Sequence, residues 1–332
     1  MKKHLLVYDY DWWILGQKAR IIKKYHPSLD IFSNKGIRKL VQQKGSAYIN
    51  SNYEIISALS LGLAKLLYNL NIRVDTAQVG SYKYFMLNHT SFEEWSGKVV
   101  PNHEFIKVMN SMKQFGANNP MIKEVVQRLV PDKKVNYIRQ FVDSDFFYPL
   151  LRRKKQSNSP LNIGWVGNTR REVKQYNSLY KPIVKNFEGD PRFTFKEATR
   201  RTKIPLKEMP AFYHSLDLLL VTASNEGIPN PALEAAACGV PAISTNVGIM
   251  KDLAGVNEDF LLVKGANKRE FIRKIKYLEK NRDLLFKLQK QARATIMSHW
   301  TVEKTIDSWL NTLFLFNNGR GGTEGWIRGK KT

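Results

Sequence analysis

Short apolar runs alternate along the chain with longer segments in which apolar residues recur at every third or fourth position. The short runs are typical of buried strands, and the longer segments predict amphipathic helices. In the first half the predicted strands are "HLLVYDY", "LDIFS", "AYINS" and "IRVDTAQV", and the predicted helices are "WWILGQKARIIKKY" and "IISALSLGLAKLLYNL". This alternation predicts a parallel sheet with helices on both faces, which is the α/β class.

The same pattern restarts near residue 160. The strands predicted there are "LNIGWVGN", "RFTFKEAT", "DLLLVTA", "PAISTNV" and "FLLVK", with helices between them, two charged helices over 267–298 and one final helix. A chain of 332 residues is long enough to build two hydrophobic cores. We therefore expect two α/β domains.

The polar stretch "LRRKKQSNSP" separates the two halves, and its Ser, Asn and Pro residues are typical of a linker. It predicts a first domain over residues 1–155 and a second over 156–300. The final helix, over 301–318, is expected to pack back on the first domain. The basic, glycine-rich tail 319–332 is expected to be loosely held.

The charge of the chain adds information about its partners. The sequence has 53 basic and 29 acidic residues, which gives a formal net charge of +24. Such a balance implies an anionic partner: nucleic acid, an acidic membrane surface or a phosphorylated substrate. The sequence contains no helix-turn-helix, zinc-finger or RNP-type pattern, so no nucleic acid is expected, although charge alone keeps a basic nucleic-acid-binding protein as an alternative.

The helix over "GQKARIIKKYHP" suggests a membrane surface instead. Its cations Lys18, Arg20, Lys23 and Lys24 alternate with isoleucines, a pattern compatible with peripheral docking on an anionic membrane. Ordinary packing of the apolar face on the sheet is the alternative, and the two are compatible.

Few features of the sequence indicate where in the cell the protein is located. No apolar run reaches the ~20 residues that span a bilayer, and Asp9 and Asp11 interrupt the apolar start, which makes it a poor signal peptide. The single cysteine, Cys238, excludes an intrachain disulfide. These features predict a cytoplasmic protein, and the membrane hypothesis places it peripherally on the inner face.

The stretch "SNEGIPNPALEAAACGVP" carries the candidate chemistry. Glu226 follows a buried strand, at the sheet edge where α/β proteins bind ligands, and Glu234 is expected in the first turn of the next helix. Asn230 is expected to cap that helix, with Pro231 at its first position. Free amides at a helix start favour an anion. The candidate amide donors are Gly227, Ile228 and Asn230.

The longer stretch "SNEGIPNPALEAAACGVPAISTNVGIMKDL" resembles the glutamate–seven residues–glutamate motif of retaining GT-B glycosyltransferases of family 4. The resemblance implies that Glu226 contacts the hydroxyls of the donor sugar as the catalytic-site carboxylate. It implies that Glu234 binds the ribose hydroxyls of the nucleotide. Carboxylates suit both tasks, since each can accept two hydrogen bonds. The implied fold is GT-B, two Rossmann-like domains that face each other across a cleft.

The stretch "IGWVGNTRREVKQY" resembles the family's glycine turn, in which an arginine and a lysine bind the donor phosphates. Lys174 stands at the family's lysine spacing from Gly167. The family's arginine directly follows the glycine, where this chain has Asn168, so Arg170 or Arg171 is expected to substitute. Cationic stabilisation of a departing diphosphate fits a transfer that needs no metal.

The resemblance extends over about 135–265 and is weak in the first domain, which supplies the acceptor site in this family. There "DYDWWILGQKA" loosely resembles the family's glycine loop near the diphosphate, with Gly16 as the candidate and a helix-internal glycine as the alternative. His89 lies too far along the chain to match the family's histidine. Asp9 and Asp11 are expected on the first strand, so no metal or other cofactor is predicted.

These interpretations predict a retaining glycosyltransferase. It would move a hexosyl group from a nucleotide diphosphate sugar, the donor, to a carbohydrate or lipid-linked acceptor in glycan or glycolipid synthesis. GT-B epimerases and phosphorylases share the architecture and form the enzymatic alternative.

Overall fold

The computed structural model of the protein describes residues 3–12, 14–81, 102–150 and 159–316. The chain forms two compact units. The first unit contains the described residues up to Arg139 together with those from Thr305 onward, and the second contains Gln140–Lys304. The predicted linker, His89 and the tail 319–332 lie wholly or mostly outside the described residues.

The chain enters the second unit at Gln140, before the predicted boundary at 155. Val142 and Phe147 belong to the apolar core of the second unit, and the Val142 amide donates to the Trp300 carbonyl at 2.9 Å. The segment before the linker is therefore already part of the second unit.

The first unit is built on one six-stranded parallel sheet. Its strands are β1 (Lys3–Tyr8), β2 (Leu29–Ser33), β3 (Tyr53–Ala58), β4 (Thr76–Val79), β5 (Gln114–Ala117) and β6 (Lys134–Tyr137). Its helices include α1 (Ile14–Tyr25), α2 (Asn34–Asn52), α3 (Leu61–Asn69), α4 (His103–Asn110) and α5 (Pro120–Leu129). The strand order is β2-β1-β3-β4-β5-β6. The chain therefore runs from β1 to β2 on one side of β1 and then crosses to β3 on the other side. The switch point of the sheet lies between β1 and β3.

The second unit repeats this topology. Its strands are β7 (Leu161–Gly167), β8 (Phe193–Thr199), β9 (Leu218–Val221), β10 (Ala242–Thr245) and β11 (Leu262–Val263). Its helices are α6 (Lys181–Lys185), α7 (Met209–His214), α8 (Asn230–Ala237), α9 (Met250–Ala254), α10 (Glu258–Leu261), α11 (Lys268–Lys280) and α12 (Arg282–His299). The order β11-β10-β9-β7-β8 places the switch point between β7 and β9. The prediction of an α/β class with parallel sheets is confirmed.

The final helix, α13 (Val302–Phe314), contributes to the first unit from Thr305 onward. Its last carbonyls accept hydrogen bonds from buried side chains of the sheet. Ser57 and Thr76 donate to the Leu313 carbonyl at 2.6 and 2.7 Å, and Gln114 donates to that of Thr312 at 2.6 Å. The helix therefore supplies backbone acceptors to polar side chains that it also helps to bury.

Two predictions in the first half were wrong. The segment "AYINS" belongs to α2 rather than to a strand, and the start of "IISALSLGLAKLLYNL" is strand β3 rather than helix. Ile56 and Ala58 are fully buried in a central strand, whose two covered faces leave no polar alternation to distinguish it from a buried helix. Ser60 then caps α3 by accepting from the Leu63 amide.

No helix in the described part of the chain combines the length and apolar character needed to cross a membrane.

Candidate active site

The carboxyl ends of β7, β9 and β10 lie side by side in the second unit, because these strands are parallel neighbours. The loops that follow β7 and β9 bring Lys174 and Glu226 together. The Lys174 Nζ forms an ion pair with the Glu226 Oε1, and the two side chains are only 15% and 11% exposed. The pair therefore spans the switch point of this unit. A largely buried pair of this kind is screened by solvent much less than a surface pair.

A chain of hydrogen bonds fixes the backbone at Lys174. The indole Nε1 of Trp165 donates to the Thr222 hydroxyl at 3.0 Å, and that hydroxyl donates to the Lys174 carbonyl at 2.8 Å. The Ser224 amide donates to the Val173 carbonyl at 2.8 Å. Residues Glu172–Lys174 form a 3₁₀ turn, and Gln175 after it adopts a left-handed conformation. The turn is thus attached to β9 and holds the lysine in place.

Gly248 packs closely against the loop that carries Glu226. Its φ is +56°, and a Cβ atom at this position would lie 2.6 Å from the Gly227 carbonyl oxygen and 2.9 Å from that of Glu226. Glycine is required here both by the backbone conformation and by the close approach of the two loops. The Thr245 hydroxyl donates to the Ala223 carbonyl at 2.5 Å and attaches β10 to the same loop.

A buried tyrosine holds Glu234. The Tyr213 hydroxyl, on α7, donates to the Glu234 Oε2 at 2.6 Å. Tyr213 is fully buried, and this burial, with the nearby Glu234 charge, raises the pKa of its phenol well above the usual range. The phenol therefore stays protonated and acts as a donor at neutral pH.

Two details of α8 differ from the prediction. Pro229 is the N-cap residue, and no side chain caps the helix, so Asn230 is its first residue rather than its cap. Glu234 consequently lies beyond the first turn. The Asn230 amide donates to the Ile228 carbonyl at 3.0 Å, which already occupies one of the predicted anion donors. Gly227 and Ile228 are buried in the loop.

The loop after β7 places the remaining candidates. The Asn168 side-chain oxygen accepts from the Arg170 amide at 3.2 Å, and the Asn168 carbonyl accepts from the Arg171 amide at 3.1 Å. Asn168 thus forms an Asx-type turn. Arg170 and Arg171 are both exposed and lie four and three positions before the ion-paired Lys174. The loop concentrates positive charge at the carboxyl end of β7.

Gly16 and Lys18 belong to the first unit and are both buried in α1. A Cβ atom on Gly16 would lie 2.5 Å from the Tyr10 carbonyl oxygen, so the glycine allows the loop after β1 to lie against the helix. Its predicted contact with a diphosphate stays a prediction. Lys18 is 2% exposed, so the hypothesis that it faces lipid is wrong, whereas Arg20, Lys23 and Lys24 are exposed.

Sequence reasoning missed the residues that support the site. Tyr213 lies 21 positions before Glu234, and nothing in the local sequence marks it as the partner of a carboxylate. Thr222 and Gly248 were each quoted within larger motifs, but their contacts depend on strand neighbours.

Asp9 and Asp11, expected on the first strand, lie in the loop beyond it. No cluster of three or more metal-ligating side chains occurs among the residues that the structure describes.

Part of the second unit matches a known family model. Residues 202–295, which include both glutamates, match the family model described as Glycosyl transferases group 1. Comparison with curated protein sequences found no match.

Solved structures match over nearly the whole chain. Sucrose-phosphate synthase (tll1590) from Thermosynechococcus elongatus has a TM-score of 0.69 at 13% identity, over 95% of this chain and 100% of that chain. Anabaena Alr3699/HepE in complex with UDP and glucose has a TM-score of 0.67 at 13% identity, with the same coverage. A glycosyltransferase from Rickettsia africae ESF-5 reaches 0.60 at 14% identity, over 93% and 97% of the two chains.

At these identities the likeness establishes the fold. The predicted architecture of two Rossmann-like α/β units is confirmed. The chain has the fold of the GT-B glycosyltransferases, with a region similar to glycosyl transferases group 1 in its second unit.

Proposed function

We propose that the protein is a retaining glycosyltransferase that moves a hexosyl group from a nucleotide diphosphate sugar to a carbohydrate or lipid-linked acceptor. The observation that carries the proposal is the Lys174–Glu226 ion pair at the switch point of the second unit. Ligands of open α/β sheets bind at this point. A cation and a carboxylate there match the two ends of a sugar diphosphate, one anionic and one rich in hydroxyls.

Each candidate residue has a role in this proposal. Lys174, with Arg170 or Arg171, binds the diphosphate, and Glu226 accepts hydrogen bonds from the hexose hydroxyls. Glu234, held by Tyr213, binds the ribose hydroxyls. Charge-assisted hydrogen bonds of this kind are about twice as strong as neutral ones.

The same residues account for the chemistry of transfer. The bond between the anomeric carbon and the diphosphate oxygen breaks, and negative charge develops on the departing diphosphate. Lys174 and the arginines of the β7 loop stabilise that charge. The acceptor oxygen bonds to the anomeric carbon on the same face, and its proton passes to a diphosphate oxygen. The proposal includes no metal and no cofactor.

Calorimetry with UDP and uridine tests the donor site, and UDP is the first probe because a structural neighbour was solved with UDP and glucose. Lys174→Met should weaken UDP binding roughly 10–100-fold, the loss of one charged hydrogen bond, and leave uridine binding nearly unchanged. Lys181→Met is the matched control, because Lys181 pairs with Glu197 at 2.9 Å on β8.

If the wild-type protein bound none of UDP, GDP and ADP, the proposed function would be wrong. Equal loss of UDP and uridine binding in Lys174→Met would show that the lysine is structural. The anomeric configuration of the product, read by proton NMR, tests retention.

We further propose a cytoplasmic location with peripheral contact to an anionic membrane, supported by the exposed Arg20, Lys23 and Lys24 of α1. Each such cation contributes about 1 kcal/mol near an anionic surface. Changing all three to Gln should reduce co-sedimentation with phosphatidylglycerol vesicles at low salt. Equal sedimentation of the variant would contradict the membrane contact.

A further inference from the structure

The Lys174–Glu226 ion pair joins two side chains that the proposed function assigns to different parts of one donor. Lys174 is assigned to the diphosphate and Glu226 to the hexose, yet in the structure each is the partner of the other. Both side chains are largely buried, so each charge depends on the other more than on water for its compensation. A diphosphate that binds Lys174 must therefore either join the existing pair or take the place of the carboxylate.

The backbone at Lys174 is anchored, which leaves an exchange of partners to the side chain. The Lys174 carbonyl accepts from the Thr222 hydroxyl at 2.8 Å, and the Val173 carbonyl accepts from the Ser224 amide at 2.8 Å. Both donors lie just after β9. A lysine has a flexible stem and a compact charge. Lys174 can thus change partners by rotation about its own side-chain bonds, while the turn that carries it stays in place.

The loop that carries Glu226 is anchored as well. The Thr245 hydroxyl donates to the Ala223 carbonyl at 2.5 Å, and a Cβ atom on Gly248 would lie 2.9 Å from the Glu226 carbonyl oxygen. These contacts hold the Glu226 backbone when the lysine moves. A largely buried carboxylate that loses its charge partner needs new hydrogen-bond donors. The hydroxyls of a hexose are donors of this kind.

The charges decide which anion holds the lysine. A nucleoside diphosphate carries more negative charge than one carboxylate and presents several oxygens to an ammonium group. The exposed Arg170 and Arg171 lie on the same loop as Lys174 and add to the attraction for phosphate. The diphosphate is therefore the stronger competitor for Lys174.

We propose that the Lys174–Glu226 pair is a latch that makes hexose binding depend on diphosphate binding. While the lysine is paired with Glu226 the latch is closed, and the carboxylate is a poor acceptor for sugar hydroxyls. A diphosphate opens the latch by drawing Lys174 away, and the released carboxylate binds the hexose. The two ligands then bind cooperatively, and each raises the affinity for the other by the same factor. This inference rests on the proposed function, which assigns the two ligand groups.

Calorimetry of the full-length protein with inorganic pyrophosphate and with UDP tests the latch. Glu226→Gln removes the charge that competes for Lys174. It should raise the affinity for both probes about three- to tenfold, because apparent affinity scales with the fraction of molecules in the binding-competent state. Uridine affinity should not change. Glu197→Gln is the matched control, because Glu197 pairs with Lys181 at 2.9 Å. Unchanged or lower pyrophosphate affinity in Glu226→Gln would show that the lysine bridges carboxylate and diphosphate, and would overturn the latch.

A double-mutant cycle separates the latch from simple repulsion between the carboxylate and the phosphates. In a Lys174→Met background no pair is left to open, so Glu226→Gln should change pyrophosphate affinity by less than about twofold. A gain of equal size in both backgrounds would be repulsion alone and would contradict the latch. Thermal unfolding checks that each variant folds.

A titration with free hexoses tests the latch without any variant. Glucose is the first probe, because a structural neighbour was solved with UDP and glucose, and galactose and mannose follow. At least one hexose should bind the wild-type protein more tightly when UDP is saturating than when UDP is omitted. That hexose should raise UDP affinity by the same factor. Equal affinity with and without UDP for all three hexoses would overturn the inference.

The probes also separate the latch from the proposed function. A wild-type protein that bound pyrophosphate with the expected dependence on Glu226, but none of UDP, GDP and ADP, would defeat the proposed function alone. A wild-type protein that bound UDP with an affinity unaffected by Glu226→Gln would defeat the latch alone.

Discussion

The two units share one topology but present different chemistry at their switch points. In the second unit the loops after β7 and β9 bring together Lys174 and Glu226, a charged pair with little exposure. In the first unit the loop after β1 presents the stacked rings of Tyr10 and Trp12, which are largely exposed. One topology therefore carries unlike side chains at equivalent positions, so the chemistry of each switch point depends on its loop residues.

The difference also concerns how each loop is held. Hydrogen bonds from neighbouring strands attach the loops of the second unit, as at Thr222 and Thr245. The loop of the first unit is held by the Asn34 amide after β2, by the Arg20 side chain of α1 and by its own Asp9 carboxylate. We expect substitutions in the loops of the second unit to affect both its stability and its chemistry, and substitutions of the exposed rings to leave stability nearly unchanged.

The largest expected effect is on turnover. Glu226→Gln should lower kcat by about 10²–10³-fold, because the carboxylate contacts the transferred sugar in the proposed mechanism. UDP affinity should hold or rise, because the variant leaves the Lys174 charge without its carboxylate partner and ready to pair with the diphosphate. Glu197→Gln, which removes the carboxylate partner of Lys181, is the control. A fall in UDP affinity as large as the fall in kcat would contradict the separate roles.

Gly248→Ala should give the next largest effect. A left-handed φ costs about 1–2 kcal/mol for a residue with a Cβ atom, and overlap with the Gly227 and Glu226 carbonyls adds about 1–3 kcal/mol. Urea unfolding should show the loss. Gly189→Ala isolates the overlap, because Gly189 has a φ of +79° and no atom within 4 Å of a Cβ. If both variants lost equal stability, the close approach of the two loops would be unimportant.

Tyr213→Phe should lower UDP affinity about tenfold through the loss of one hydrogen bond to a charged group. Calorimetry should show a similar loss for uridine, because the proposed partner of Glu234 is the ribose. Tyr176→Phe is the control, since its hydroxyl donates to Glu197 at 2.7 Å. Equal affinities of the wild-type protein for UDP and 2′-deoxyuridine diphosphate would contradict a contact with the ribose 2′-hydroxyl.

The smallest expected effect is a dependence of the stability of the first unit on pH. The His4 Nδ1 and the His26 Nε2 lie 2.8 Å apart, and both side chains are buried in the first unit. Burial lowers the pKa of His26 to about 4, and the charge of His4 acts in the same direction. Burial also lowers the pKa of His4, although Glu54 and Asp75 oppose it.

An unfolded histidine has a pKa of about 6.5, so between pH 6.5 and 4 the unfolded chain binds protons that the folded chain does not. The stability of the first unit should therefore fall as the pH decreases through this window. Thermal unfolding at pH 7.5 and 5 should show a loss of a few degrees, and His26→Gln should reduce the pH dependence. The exposed His299→Gln should leave it unchanged.

Much of the second unit could be predicted from the sequence. Its strands end in glycine or in polar loops, and the spacing of Lys174 from Gly167 indicated a lysine that the structure pairs with Glu226. The resemblance to the family motifs implied that Glu226 and Lys174 share one site, and the order of the strands places their loops side by side.

The rest depends on contacts that leave no local pattern. β3 is buried on both faces, so its apolar run was indistinguishable from the helix that follows it. The partnership of Tyr213 with Glu234 requires that α7 and α8 pack together, and the position of Asn230 depends on a turn set by Pro229. The loop after β1 matched its family only loosely, and its aromatic pair became apparent only from exposure and ring geometry.

The placement of α13 has a consequence for biosynthesis. The first unit contains strands made early, yet Ser57, Thr76 and Gln114 find their acceptors in residues 312 and 313. Translation at roughly 5–20 residues per second separates Arg139 from Thr305 by on the order of ten to thirty seconds. During that interval the nascent first sheet lacks the backbone acceptors of α13, whereas the second unit has all of its own residues once Lys304 is made. The half that emerges from the ribosome first is therefore expected to be the last to reach its native state.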